Sequence, residues 1–282
     1  MRSSLLVVHL VAAAAWAVPV SPELGLDGLP QEDSLTDSLA AYFDSIVARV
    51  QSSEILTKPL GCDLSKAQMP PGADGLPAPA KGLSVRHVAV ARGTQNYTCE
   101  AGRGDAVPKA AGAVATLFNA SCVAALYPEM LDRIPSMAVR LKMDDRERDN
   151  DQVFGKSGVH YFIDQSTAYF NLDTPAMVIG EAPCTTDSSV NPPSTAAAGQ
   201  KGEKAVTWLR LTTKEGATGG IKEVYRLTTA GGSPPATCAD MESSFQVQYA
   251  AVYWFWAADQ PSDSKPDTLQ DEHKVEGAQC RH

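Results

Sequence analysis

Gln246-Val247-Gln248-Tyr249-Ala250-Ala251-Val252-Tyr253-Trp254-Phe255-Trp256 alternates from end to end, with Val247, Tyr249, Ala251, Tyr253 and Phe255 on one side. A period of two is the spacing of a β-strand, whose successive side chains point to opposite faces. The other side changes character along the run, from Gln246 and Gln248 to Val252, Trp254 and Trp256. Two readings follow. Either this is a central strand covered on both faces, or Trp254 and Trp256 stand side by side as a platform for sugar rings.

Upstream, the same alternation recurs over Leu83–Ala91, Gln95–Glu100, Ala113–Asn119, Gly158–Ile163, Ala168–Leu172, Val206–Thr213 and Ile221–Thr229, separated by Gly, Pro, Ser and Asp clusters. Within this region only Ala124–Ile134 reads as helical. Long helices alternating with strands, which a parallel sheet needs for its crossovers, are missing. The expectation is a mainly β domain, an antiparallel sandwich or barrel, over residues 58–257.

Ahead of it, Leu35, Leu39, Tyr42, Phe43, Ile46, Val47 and Val50 fall at helical intervals, so residues 18–57 read as an N-terminal extension with one amphipathic helix. Arg2, the apolar run Leu5–Ala15 and Ala15-Trp16-Ala17 make residues 1–17 a signal peptide. Lys58–Lys81 is Pro- and Gly-rich and reads as an ordered loop or linker. The runs Lys142–Asp151 and Val190–Lys204 read as solvated loops, and 258–282 as a polar tail. No later run is apolar enough for a membrane span, and the chain reads as secreted and extracellular.

Export gives the six cysteines their meaning. An even number in an oxidising compartment reads as disulfides, and Cys99 with Cys122 is the nearest pair; Cys62, Cys184, Cys238 and Cys280 stay unassigned. No C-x-x-C or paired-His spacing suggests a metal. Asn96-Tyr97-Thr98 and Asn119-Ala120-Ser121 are sequons, so Asn96 and Asn119 are candidate glycosylation sites. Strand parity puts Thr94, Asn96 and Thr98 on one face and Gln95, Tyr97 and Cys99 on the other. The formal net charge of −9 argues against nucleic acid, whose phosphates call for clustered Lys and Arg.

Catalytic signals are sparse. Gly158-Val159-His160-Tyr161-Phe162-Ile163-Asp164 puts His160 and Asp164 on one side of a strand, where the acid would orient His160 as a general base; a half-buried, hydrogen-bonded histidine is the alternative. No G-x-S-x-G supplies a nucleophile. Gly155-Lys156-Ser157 has Asn150 where a phosphate loop needs its first glycine, and Arg103-Gly104-Asp105 reads as a turn.

Several segments together resemble a family. They are Gly93-Thr94-Gln95-Asn96-Tyr97-Thr98-Cys99, Ala110–Phe118, Gly158–Phe162, Trp208–Leu211, the run Lys222–Cys238 with its Thr228-Thr229-Ala230-Gly231-Gly232-Ser233-Pro234-Pro235-Ala236-Thr237-Cys238, and Gln248–Phe255. In this order they resemble secreted proteins widespread in filamentous fungi, whose domain has no known function. The resemblance implies a fungal, extracellular, mostly β domain and brings no catalytic residues. Some members carry an automatic malate dehydrogenase label. With no G-x-G-x-x-G opening a helix and no βαβ unit, no cofactor is expected.

The function expected from these features is binding or structure at a cell wall, matrix or host surface, with a glycan or protein there as partner. A host-directed effector and an extracellular hydrolase using His160 are the alternatives.

Overall fold

The computed structural model describes residues 62–141 and 155–258. The signal segment, the amphipathic helix expected within 18–57, the charged run 142–151 and the tail that carries Cys280 lie outside the described residues.

Eight strands form the domain: β1 (Leu83–Thr98), β2 (Lys109–Asn119), β3 (Lys156–Phe162), β4 (Ala168–Asn171), β5 (Glu181–Val190), β6 (Trp208–Thr213), β7 (Ile221–Gly231) and β8 (Ser244–Ala258). They pair antiparallel in chain order, and β8 pairs back onto β1, so the sheet closes into a barrel. Of the two architectures open to the sequence, the barrel is the one adopted. Closure leaves no unpaired sheet edge among these strands. The longest seam joins β1 to β8, from Leu83 opposite Ala258 to Thr98 opposite Ser244.

The interior is filled by pairing large residues with small ones across the seams. Ala89 lies opposite Tyr253 and Gly93 opposite Tyr249. Phe170, Tyr249, Tyr253 and Phe255 join Ala115, Leu117, Ala182 and Leu211 in one buried cluster. A second core lies outside the β7–β8–β1 wall, where Val88, Val90, Tyr225, Leu227, Val252 and Trp254 are covered by residues such as Leu76, Ala124, Leu131 and Ile134. This layer explains the opening stretch of sequence. One face of β8 fills the barrel, the other fills the space under a covering layer, and both must be apolar. The sugar-platform reading of Trp254 and Trp256 is therefore corrected: Trp254 is 1% exposed, and Trp256 packs against the same cluster.

The covering layer contains α1 (Ser121–Leu126), α2 (Pro128–Leu131) and α3 (Ile134–Ala138) in place of the single helix expected over Ala124–Ile134. Pro128 forces Tyr127 out of the helical region, to φ −141° and ψ 59°, and Pro135 opens the third helix. The stretch before β1 is anchored to the wall through polar groups. The Tyr225 hydroxyl donates to the Pro77 carbonyl at 2.7 Å. The Ala80 N–H donates to Glu223 at 3.3 Å. Arg210 bridges Glu223 and Asp187 at 2.7 and 2.6 Å.

Two disulfides staple the domain, Cys62–Cys122 and Cys99–Cys238. The expected Cys99–Cys122 pair is corrected by topology. Thr98 lies opposite Lys109 and Ala89 opposite Asn119, so Cys99 and Cys122 flank opposite ends of one hairpin. Nine residues of strand separate those ends, roughly 30 Å, against the ~7 Å limit for bridging two Cα atoms. Cys184 is a buried free thiol on β5, and burial pushes its pKa up to about 12.

Candidate functional site

His160 does not meet Asp164. Its ring is 2% exposed and lies inside the barrel, stacked on Phe170 at a centroid distance of 4.3 Å. The Nδ1–H donates to the Tyr169 carbonyl at 3.0 Å. Burial lowers the His160 pKa to about 4, a direction that the Tyr169 carbonyl opposes and the Arg226 charge supports. Asp164 sits in the turn after β3, where Ser166 and Thr167 hydrogen-bond its carboxylate and hold its pKa well below the usual range. The proposed acid–base pair is thus a packed core histidine and a turn-capping aspartate. The second buried histidine, His87, is likewise closed in, between the hydroxyls of Ser157 at 2.9 Å and Ser121 at 3.0 Å.

At the first sequon the alternation holds for Asn96, Tyr97 and Thr98, while Thr94, expected on the outward face with Asn96, is buried at 5% exposure. Asn96 and Thr98 face outward while Tyr97 turns in, its hydroxyl donating to the Gly232 carbonyl at 2.8 Å. Asn119 is exposed, but the Ser121 hydroxyl of its sequon belongs to the buried His87 network. Arg103 and Asp105 pair with each other at 3.3 Å on an exposed loop.

A groove on the outer wall gathers residues that no single stretch of sequence brings together. Its volume is about 340 Å³, within the range of small-ligand sites. Pro70 and Pro71 reach it from the stretch before β1, Asp132 and Arg133 from the turn between α2 and α3, Pro193, Thr195, Ala196 and Ala197 from the β5–β6 connection, Trp208 from the start of β6 and Thr228–Ala230 from β7.

A bulge in β7 shapes one side. The register against β8 shifts between Leu227 and Ala230, and Thr228 adopts φ +47°. A β-branched residue in that region carries a local cost of about 1–2 kcal/mol, and bulges of this kind re-aim side chains beside binding sites. The Thr229 hydroxyl is tied to the Val206 carbonyl at 2.6 Å. Thr228 instead reaches across the groove, its hydroxyl donating to Asp132 Oδ1 at 3.5 Å.

Ser136, also in the lining, donates its hydroxyl to the Arg133 carbonyl at 2.7 Å. Partial burial pushes the Asp132 carboxyl above its ordinary pKa, against the opposing Thr228 hydrogen bond. The Trp208 side chain, 4% exposed, lies at the groove with its Nε1–H lacking a protein acceptor. The lining contains no histidine or cysteine, and its one carboxylate has no second carboxylate beside it. An arrangement of this kind presents hydrogen-bond donors and acceptors to a ligand rather than a paired acid and base.

Sequence reasoning missed this site. Trp208 and Thr228–Ala230 both fall within the segments that carry the family resemblance, yet alternation marks them only as strand residues. A family model described as "Protein of unknown function (DUF3455)" matches residues 79–257. Neither a curated protein nor a solved structure matches the chain.

Proposed function

The chain belongs to the DUF3455 family of unknown function, and we propose that it is a secreted, non-catalytic binding protein that attaches to cell-wall, matrix or host-surface material through the groove at Trp208, Asp132 and Thr228. One observation carries the reading. A disulfide-stapled barrel with a side-chain-filled interior carries on its outer wall a groove of about 340 Å³, edged by a positive-φ threonine whose hydroxyl reaches Asp132. A local cost at Thr228 persists only where the surroundings impose it, and such positions cluster at ligand sites.

The hydrolase alternative required His160 in a cleft beside a second titratable group. His160 instead lies in the packed interior, with Asp164 elsewhere. Secretion rests on the amino-terminal segment and the sequons, and is consistent with the two disulfides.

The test is retention of the mature protein on insoluble wall and matrix polysaccharide and on intact cells, beside the groove-filling variant Ala196→Trp. Retention of the parent and loss in the variant, with unchanged thermal unfolding, is the expected result. Equal retention of both would place binding somewhere other than the groove.

A further inference from the structure

We infer that the mouth of the barrel at the Cys99–Cys238 end binds a small organic carboxylate, its charge met by Arg226 and its apolar body by the rings of Tyr97, Phe162 and Phe245. This site lies inside the wall, whereas the groove lies outside it, and it does not rest on the groove reading.

Strand parity turns Arg226 inward. It lies opposite Leu209 of β6 and Tyr253 of β8, both part of the interior packing, while its neighbours Tyr225 and Leu227 belong to the outer core. Its guanidinium leans toward the head of β6, where Nε and Nη2 donate to the Thr207 carbonyl at 3.2 and 3.0 Å. That is the end at which β1 and β7 finish and β8 begins. Interior groups register the charge. Burial is the largest cause of the shifted pKa values of His160, Tyr97 and Tyr249, and Arg226 contributes to all three.

This charge lacks a counter-ion. Arg226 is only 8% exposed, yet it forms no ion pair among the described residues. Arg210, on the outer face of the same wall, pairs with both Asp187 and Glu223. A buried guanidinium without a carboxylate loses hydration that no Coulombic attraction offsets. Its Nη1 makes no hydrogen bond among the described residues and is not sealed in by protein. A carboxylate entering the mouth supplies the missing charge, and the guanidinium is the side chain whose N–H groups best match one.

Around Arg226 the mouth is apolar and open. Deeper in the barrel Ala89, Ala91, Phe170 and Phe255 are fully buried, whereas Gln95, Phe162 and Phe245, which turn inward at this end, are half-buried. Phe245 stacks on Tyr97 at a centroid distance of 5.6 Å. Barrel mouths are recurrent ligand sites, and an eight-stranded barrel has room for one small molecule. A guanidinium set among accessible rings favours an anion with an apolar body. Inorganic phosphate would meet the charge and leave the rings in water.

Calorimetric titration of the mature protein with benzoate and hexanoate, with benzamide and hexanamide as uncharged counterparts and with inorganic phosphate, tests the inference. Both acids should bind, and the amides about tenfold more weakly or worse, as for loss of a hydrogen bond to a charged group. Arg226→Gln should weaken acid binding by a similar factor and leave amide binding unchanged. Phe245→Ala should weaken acid binding severalfold, with thermal unfolding of both variants recorded as a control.

Acids and amides bound equally by the parent would overturn the assignment without recourse to any variant, as would binding of neither. Phosphate bound as tightly as the acids would overturn it in favour of a bare anion site. Acid binding unchanged in a folded Arg226→Gln would also overturn it. Wall retention reports on the groove alone: Ala196→Trp should abolish retention and leave acid binding intact, so the two readings fail separately.

Discussion

At the scale of single residues, Thr228 is where stability and binding separate. Its φ of +47° suits glycine far better than a β-branched side chain, while its hydroxyl is the group that reaches Asp132. Thr228→Gly should therefore stabilise the domain by about 1 kcal/mol, since relief of the left-handed backbone exceeds glycine's added unfolded-state entropy. The same substitution should weaken ligand binding, because it removes the groove hydroxyl. Chemical denaturation and wall retention on one preparation measure both signs. A variant that is less stable would mean that the hydroxyl's contact outweighs the backbone cost. Neither the strain nor the contact was visible in Thr228-Thr229-Ala230, since periodicity fixes which face a strand residue occupies but not where a bulge interrupts it.

At the scale of elements, Gly93 separates what the chain encodes locally from what closure demands. Glycine inside an alternating run reads as a break, and the sequence accordingly suggested two strands, Leu83–Ala91 and Gln95–Glu100. The structure runs β1 straight through. An added Cβ at Gly93 would lie 2.0 Å from the Val114 carbonyl oxygen and 2.5 Å from the Ala115 Cα, both backbone atoms of β2. The glycine permits close approach of two strands rather than a turn. Gly93→Ala should destabilise the barrel by about 2–3 kcal/mol or more through overpacking against backbone that cannot step aside. A loss below about 0.5 kcal/mol in denaturant unfolding would show that the β1–β2 seam yields easily. The opposite error occurred at β5, Glu181–Val190, whose Pro183, Asp187 and Ser188 hide the alternation. Its inward Ala182 and Cys184 are small because they face the aromatic filling of the barrel. One strand split and one strand missed leave the expected number of strands intact by coincidence. The β8 pattern was legible because burial on both faces writes itself into every residue of the strand. The groove was not, because its lining comes from five separated stretches and becomes a site only when the barrel closes.

At the scale of the whole molecule, the two packed histidines make the fold sensitive to acid. His87 and His160 are both held neutral, each with its pKa lowered to about 4 and with burial as the largest cause. In the unfolded chain both return to about 6.5. Between these values the unfolded state binds more protons than the folded one, so stability rises with pH there and is lost as pH falls from about 6.5 toward 4. Above 6.5 the contribution is complete, and below 4 these two groups remove nothing further. Two protons correspond to a slope of about 2.7 kcal/mol per pH unit at mid-window, or on the order of 3 kcal/mol for each histidine over the whole window. That is a large part of the ~5–15 kcal/mol typical of a folded domain, so unfolding should become easy near pH 4 unless the disulfides compensate. Asp63 and Asp187, whose pKa values are lowered mainly by hydrogen bonds from Ser65 and Arg210, act in the same direction at still lower pH, below their unfolded values. His160→Phe retains an aromatic ring against Phe170 and removes one titration. Whatever it costs at pH 7, it should halve the slope of unfolding free energy between pH 4 and 6.5. A slope equal to that of the parent would mean that His160 is protonated within the fold, and the barrel interior would then have to hold a second charge in addition to that of Arg226.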